Sequence, residues 1–496
     1  MRLPASYPMA LLAALVALTP VYVLLTLASD ASNVFDSHNL TILGNTLSLM
    51  VLTVLGSIII GVPLAFISAY VHLPLKKMWL VVFAAPLAIP SYIGAFTLYA
   101  AFGAGGEINQ LFGIATPPMY GLSGAAIVMT LYTFPFVMLT TRSSLLSLDA
   151  SMVNAARTLG MSMTMSVFKV ILPRVVNGIA AGALLVALYT LSDFGTPAMM
   201  RLDTFTRVIY VEYNAFGLNR AAMLSLQLMC IVGFLLFLES QIKTATERHG
   251  RPLILFPKPW QVAALFATFA PVLLLAIGLP LGIFSLWLAR DGLAEFDFTI
   301  AWHSAYASGI AALVAVIVAI PVAHAALSGK AGRVMERITY FGFGIPGIVM
   351  GTALVYAGLQ LPMLYQTLAL LVIAYVLRFL PLAVGSVRTS TEHMDASLVK
   401  SARVLGASPR EAFTRITLPL TARGIVAGAA LVFLESMREL EATLLLGPTG
   451  FETLSTYLWR VYEAGYFGRA AIPGLLLVVI SACGLAIMLS GEKRSH

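Results

Sequence analysis

Four carboxylates and one guanidinium stand where an apolar chain would place hydrocarbon. Asp193 falls in Tyr189-Thr190-Leu191-Ser192-Asp193-Phe194-Gly195, and Glu435, Arg438, Glu439 and Glu441 fall in Glu435-Ser436-Met437-Arg438-Glu439-Leu440-Glu441, both within long apolar stretches. A charge at the centre of a membrane helix costs about 3 kcal/mol on insertion scales, so such groups usually face a bundle interior or a cavity. Carboxylate and phenol oxygens suit a hard cation such as ferric iron; they suit an ammonium group equally. The same residues also read as a buried ion-pair network, in which Arg438 compensates Glu435 or Glu441 and locks two halves together. The i, i+3, i+4 spacing predicts one helical face for Glu435, Arg438 and Glu439. Asp193 and Glu439 lie 246 residues apart and are expected to approach a central axis from opposite halves of the chain. The seven His include no pair at ligand spacing, and no metal is assigned.

These groups must be positioned by membrane helices. Hydrophobic residues make up 59% of the chain, charged residues only 10%, and the mean hydropathy is +0.91, whereas soluble domains carry about 25% charged residues. A hydrocarbon core about 30 Å thick needs about 20 apolar residues in a helix. That criterion predicts an all-α integral membrane protein with about twelve spans, near 8–28, 46–71, 78–103, 120–141, 176–200 and 221–240, then 259–287, 304–328, 338–358, 366–388, 424–446 and 471–490. With both termini cytoplasmic, the inner loops hold about 22 of the 30 Lys and Arg; the outer loops hold Arg201, Arg207, Arg220, Arg290, Arg460 and Arg469, and Arg378 and Arg438 lie within spans. The positive-inside rule selects that orientation. The net charge of +8 forms no basic patch with interleaved aromatics, so a nucleic-acid partner is excluded. The first apolar run exceeds a signal-peptide core of about 7 to 15 residues, so we expect an uncleaved span rather than cleavage near Ala28-Ser29. Cys230 and Cys483, far apart within spans, are expected to be small packing residues.

A polar segment occurs twice. Asp149 to Gly182 aligns without a gap onto Asp395 to Gly428 at the same offset of 246, sharing about 15 of 34 positions. Pro135 and Pro381, and Arg142 and Arg388, obey the offset too, and Pro63 and Pro321 take similar places in the second span of each half. A period near half the chain length indicates a doubled unit. Six spans per unit is even, so the halves enter the membrane in the same sense, as parallel repeats about an axis along the membrane normal. The repeats are expected at 1–240 and 259–496, joined by a polar, basic cytoplasmic linker at 241–258 that contains Pro252 and Pro257.

The repeated loop predicts a helix-turn-helix protrusion on the cytoplasmic side. Val153 to Leu159 are helix formers, and Gly160 ends the helix in a left-handed turn. In the second copy Ser408-Pro409-Arg410-Glu411 supplies an N-cap, a proline at the first helical position and a capping-box glutamate; the first copy keeps only Ser162. The span then resumes after Leu172-Pro173 or Leu418-Pro419. A mere connection would be shorter and irregular, so a cytoplasmic partner is expected to dock here. Interfacial helices lying on lipid, through an apolar face of Val167, Val170 and Ile171, are the alternative.

Asn154-Ala155-Ala156, Gly160, Val170 and Leu172-Pro173 resemble the EAA motif of binding-protein-dependent ABC importer permeases, and Lys400-Ser401-Ala402, Gly406, Ile416 and Leu418-Pro419 keep the same spacing. The resemblance covers both halves and implies the type I permease fold, in which this protrusion is a coupling helix seated in a cleft of an ATPase subunit. The family's glutamate is Asn154 in one copy and Lys400 in the other, so a contact through that carboxylate does not carry over. Leu191 to Gly195 with Asp203 to Arg207, and Met437 to Leu446 with Gly450 to Leu454, resemble fused ferric iron permeases, whose members receive Fe(III) from a periplasmic binding protein. Fused permeases for thiamine and for phosphonates share the architecture.

No GxxxxGK[ST] phosphate loop is present, so ATP and Mg are expected to be used by a partner, with no cofactor bound by this chain. The expected partners are two ATPase subunits, a periplasmic substrate-binding protein meeting the outer segments 201–220 and 447–470, and the lipid bilayer of the bacterial inner membrane. A secondary transporter with twelve spans would instead show a short Gly/Asp/Arg-rich loop after its second span; here that loop is His72-Leu73-Pro74-Leu75-Lys76-Lys77. A non-transporting scaffold or sensor is the third class.

Overall fold

The computed structural model describes residues 6–28, 36–73, 75–117, 119–241, 253–292 and 296–492. The possible cleavage site at Ala28-Ser29 and linker residues 242–252 therefore fall partly or wholly outside the described residues. The fold is all-α. Among the described residues ten helices are long and apolar enough to cross a bilayer, and two bent helix pairs bring the number of spans to as many as twelve.

The bent pairs replace the straight spans expected at 78–103 and 338–358. Met78–Ala88 and Ser91–Phe112 meet at 85°, and Lys330–Gly344 and Gly347–Gln360 at 104°. Pro90 and Pro346 stand at the two breaks. A proline ring excludes the preceding residue from the helical region, and Ile89 (φ −86°, ψ 121°) and Ile345 (φ −80°, ψ 123°) are accordingly extended.

Proline also explains three π turns, Val167–Ile171, Leu274–Gly278 and Phe413–Thr417, each followed at once by Leu-Pro. Proline offers no N–H and crowds the carbonyl four residues back; a wider turn relieves the crowding. Four residues before Pro280 is Ala276, whose carbonyl accepts a hydrogen bond from the buried Tyr132 hydroxyl at 3.0 Å. An unsatisfied backbone group in hydrocarbon is costly, and Tyr132 removes that cost.

Two compact units emerge, and they do not coincide with the sequence repeats. One comprises Met1–Ser32, Ile209–Leu226 and Phe296–Arg460; the other comprises Asn33–Val208, Gln227–Glu295 and Val461–His496. The opening helix Tyr7–Ala28 thus packs on Thr299–Ser328, Lys330–Gly344 and Gly347–Gln360, all of the second repeat. Within one unit Leu368–Glu392 packs on Thr299–Ser328 and Leu418–Met437; within the other Gly121–Leu146 packs on Ser37–Tyr70 and Leu172–Ser192. Both cores use a GxxxG spacing. A Cβ on Gly178 would stand 2.1 Å from Ser144 Oγ, and one on Gly424 would stand 2.4 Å from Ser390 Cβ. Membrane helices associate through such close backbone approach, because lipid tails are as apolar as leucine. Cys230 and Cys483 are free and exposed, not the packing residues expected.

Candidate functional site

The doubled segment folds as two helices separated by a sharp stop. Ala150–Thr158 and Ala396–Val404 are each opened by an aspartate: Asp149 accepts from Ser151 N at 2.9 Å and Asp395 from Ser397 N at 2.8 Å. Gly160 (φ +88°) and Gly406 (φ +94°) then reverse the chain in the left-handed region. Met161 N donates to Ala156 O at 3.1 Å and Gly160 N to Arg157 O at 3.0 Å, with Ala407 N to Ala402 O at 3.0 Å and Gly406 N to Arg403 O at 3.2 Å in the second copy. These pairs close a Schellman motif in both places. Ser162 accepts from Met165 N, and Ser408 from Glu411 N, each at 3.2 Å; only Glu411 returns a bond, from Ser408 N at 2.8 Å. The capping box is confined to the second copy, as its sequence predicts.

Two expectations need correction here. The second helix and the span are not separate, because Met163–Ser192 and Pro409–Met437 each run as one rod through a π turn, with Leu172-Pro173 and Leu418-Pro419 inside it. Ile171, which the alternative reading would have laid on lipid with Val167 and Val170, is fully buried with Leu145, Ala150 and Val153, and Val167 packs against that cluster, so that alternative loses its apolar face. The anchoring leaves Asn154 and Ala155 exposed with Ala156 buried; in the second copy Lys400 and Ser401 are exposed and Ala402 is half-buried. The residues overlooked in the sequence are Leu159 and Leu405, 84% and 87% exposed. The signal was present: a Leu-Gly pair kept in both copies at the turn where the chain leaves the helix. Val404 is exposed to 86% beside Leu405, where the first copy has Thr158.

Hydrogen bonds from Ser397 hold the Asp395 carboxyl below the usual carboxylate range. A carboxylate with a depressed folded pKa adds stability above its unfolded pKa and loses it as pH falls through the folded value. Protection of the Ser397 and Leu398 amides, as exchange relative to an unstructured peptide at the same pH, is therefore expected to fall under acid, below the ordinary aspartate range, and Asp395→Asn is expected to remove most of that pH dependence. A flat pH response in the native chain would count against the cap.

The charged residues mark a helix break, not one helical face. Leu172–Ser192 stops before Asp193, and Leu418–Met437 stops before Arg438, which leaves the helix at φ −101°, ψ 3°. Buried Asp193 accepts from Ser91 Oγ at 2.6 Å and from Thr196 N at 3.0 Å, and so caps the short helix Gly195–Met199. Its counterpart Glu439, also buried, accepts from Ala442 N and Thr443 N at 3.1 Å and from Thr443 Oγ1 at 2.9 Å, next to Glu441–Leu446. Carboxylates at helix N-termini are stabilised by the backbone dipoles.

Arg378 organises the second break. Its Nη1 lies 2.6 Å from Glu439 Oε1 and 3.3 Å from Glu441 Oε2, and Glu441 also accepts from Ile348 N at 3.2 Å, at the start of the bent helix Gly347–Gln360. A Cβ on Gly347 would stand 1.7 Å from Arg378 Nη1, so only glycine admits the guanidinium. Arg438 pairs with Glu435, both half-buried. The expected network is thus present, but its central cation is Arg378. The offset places Tyr132, the phenol bonded to Ala276, at the matching position of the first repeat. Among the described residues no group of three His, Cys, Asp or Glu is placed to hold a metal ion.

Comparison with known proteins agrees with this doubling. The family model described as "Binding-protein-dependent transport system inner membrane component" matches residues 61–241 and again 311–494. The chain is 30% identical to the Fe(3+)-transport system permease protein FbpB 2 of Haemophilus influenzae, over 89% of this chain and 88% of the relative. It is 21% identical to the ferric transport system permease protein FbpB of Actinobacillus pleuropneumoniae, over 80% of this chain and 63% of the relative. A probable molybdenum ABC transporter permease of Haloferax volcanii is 32% identical over 47% of this chain and 91% of its own length. Membership implies a substrate-binding protein and an ATPase as partners. A multi-pass all-α chain carrying the matched domain twice belongs to the binding-protein-dependent transport system inner membrane components, the permeases of ABC importers.

Proposed function

We propose that this chain is the fused permease of an ATP-driven importer that moves ferric iron across a bacterial inner membrane, from a periplasmic binding protein to the cytoplasm. The observation that carries the coupling role is the pair of Schellman-stopped helices, each ending in an exposed leucine. Two such helices in one chain call for two ATPase subunits, with ATP and Mg held by those subunits and no cofactor held here. Both termini are cytoplasmic in this arrangement, because it places the basic loops inside. The names of the long-range relatives support iron as cargo. Arg378 and backbone N–H groups already occupy Glu439 and Glu441, which favours a frame-holding role for these carboxylates over metal ligation.

Labelled Fe(III) uptake by cells carrying the permease, ATPase and binding protein tests the whole proposal. Uptake is expected to vanish with an ATPase-dead partner and to survive an uncoupler, and the purified chain is expected to hydrolyse no ATP until its ATPase is added. Uptake that follows the proton gradient would replace this assignment with a secondary transporter, and ATP-dependent uptake of thiamine or a phosphonate without iron would replace the cargo.

A further inference from the structure

The compact unit that contains Gln227–Glu295 carries an apolar groove of about 340 Å³. Its walls are the end of Ser37–Tyr70, the helix Lys76–Ala84, the helix Pro259–Leu273 and the π turn that follows; Ile67, Trp79, Phe83, Phe266, Ala270 and Ile277 line it. Trp79 and Phe266 meet at 4.4 Å between ring centroids across the two facing helices. Outside this wall lies hydrocarbon, since Trp260–Asp291 is a membrane-length helix with little of its surface buried in the protein. The solvent available to fill the groove is an acyl chain.

One end of the groove is polar and basic. Leu255 pairs with the chain leaving Ser37–Tyr70, through His72 N to Leu255 O at 2.9 Å and Leu255 N to Tyr70 O at 2.7 Å, so Lys258 is brought to the same end as Lys76. Lys76 donates one bond to Ala69 O at 2.8 Å, and the Arg142 charge is close enough to oppose its own. Lys258 is exposed. At a helical rise of about 1.5 Å per residue, Lys258 stands about 10 Å from Leu265, the first residue of its helix in the groove. That is a headgroup's distance from an acyl chain. Apolar length capped by positive charge matches an anionic phospholipid, with about 1 kcal/mol of attraction expected per basic residue near the surface.

We propose that this groove binds one acyl chain of an anionic phospholipid whose phosphate is held by Lys76 and Lys258. Placement of the site in the cytoplasmic leaflet rests on the topology proposed above, but the binding does not. It is tested on the full chain purified in detergent, without ATPase, binding protein or iron, so its outcome is independent of the cargo.

Native mass spectrometry with phosphatidylglycerol and phosphatidylcholine of identical acyl chains reads it directly. The expected result is preferential retention of phosphatidylglycerol, about tenfold weaker retention in Ala270→Trp, and a several-fold loss of headgroup preference in Lys258→Gln. Ala270→Leu fills less of the groove and serves if the tryptophan variant does not fold. Equal retention of both lipids by the native chain, or phosphatidylglycerol binding untouched by filling the groove, would overturn the proposal. Loss of both lipids in Ala270→Trp with no headgroup preference to lose would reduce the site to a nonspecific acyl crevice and overturn it as well.

Discussion

Replacing Arg378 by alanine destabilises the chain by about 3–5 kcal/mol, the range observed when one partner of a buried ion pair is removed and the other charge is stranded. Here two carboxylates lose that cation at once, Glu439 and Glu441, both buried and both bonded to Arg378. The break of the bent span would be disturbed as well, because Glu441, which loses its bond to Arg378, also holds Ile348 N there. Thermal unfolding of the purified chain in detergent measures the loss. Arg378→Lys is expected to recover only part of it, since an ammonium lacks the guanidinium's planar fork. Arg378→Met with Glu439→Gln and Glu441→Gln is expected to be more stable than Arg378→Ala, because no charge remains unpaired. If Arg378→Ala unfolds like the native chain, the cluster is not what holds the break.

Leu405→Asp is expected to abolish the proposed iron uptake while the permease remains folded and in the membrane. The side chain is 87% exposed at the end of Ala396–Val404, so the substitution costs the isolated chain little. Burial of a leucine against a partner is worth about 1.5–3 kcal/mol, and each 1.4 kcal/mol is about tenfold in affinity. Co-purification of the ATPase is expected to fall about 10- to 100-fold. Leu159→Asp is expected to act in the same direction with a smaller effect, because Thr158 stands where the second copy adds exposed Val404. Normal uptake in the double variant would remove these tips from the coupling contact.

Much of the doubled helix-turn-helix was legible in order along the chain, since each of its parts is a local signal. An aspartate before a helix, a glycine after it and a Ser-x-x-Glu box act through bonds spanning two to five residues, and all three appear where their residue types predict. The exposure of Leu159 was harder to see, because it depends on Val153 and Ile171 turning the other way into a cluster built from distant segments. For the charged site, sequence spacing suggested a single helical face, but Arg438 and Asp193 end their helices. Periodicity assumes a continuous helix and cannot register a break whose cap lies in the side chain of Glu439.

Composition alone determined that the chain lives in a bilayer, because 59% hydrophobic residues leave no other solvent for its helices. The repeat offset determined that one protrusion is presented twice. Only the tertiary structure decided which cation neutralises the buried carboxylates, since Arg378 and Glu439 are 61 residues apart. It also decided that Tyr7–Ala28 packs against the second repeat rather than its own. Apolar helices carry little information about which apolar neighbour they meet, as lipid and leucine are nearly equivalent to them. The choice of neighbour comes from close-approach glycines, proline breaks and paired charges, which act only once the helices are assembled.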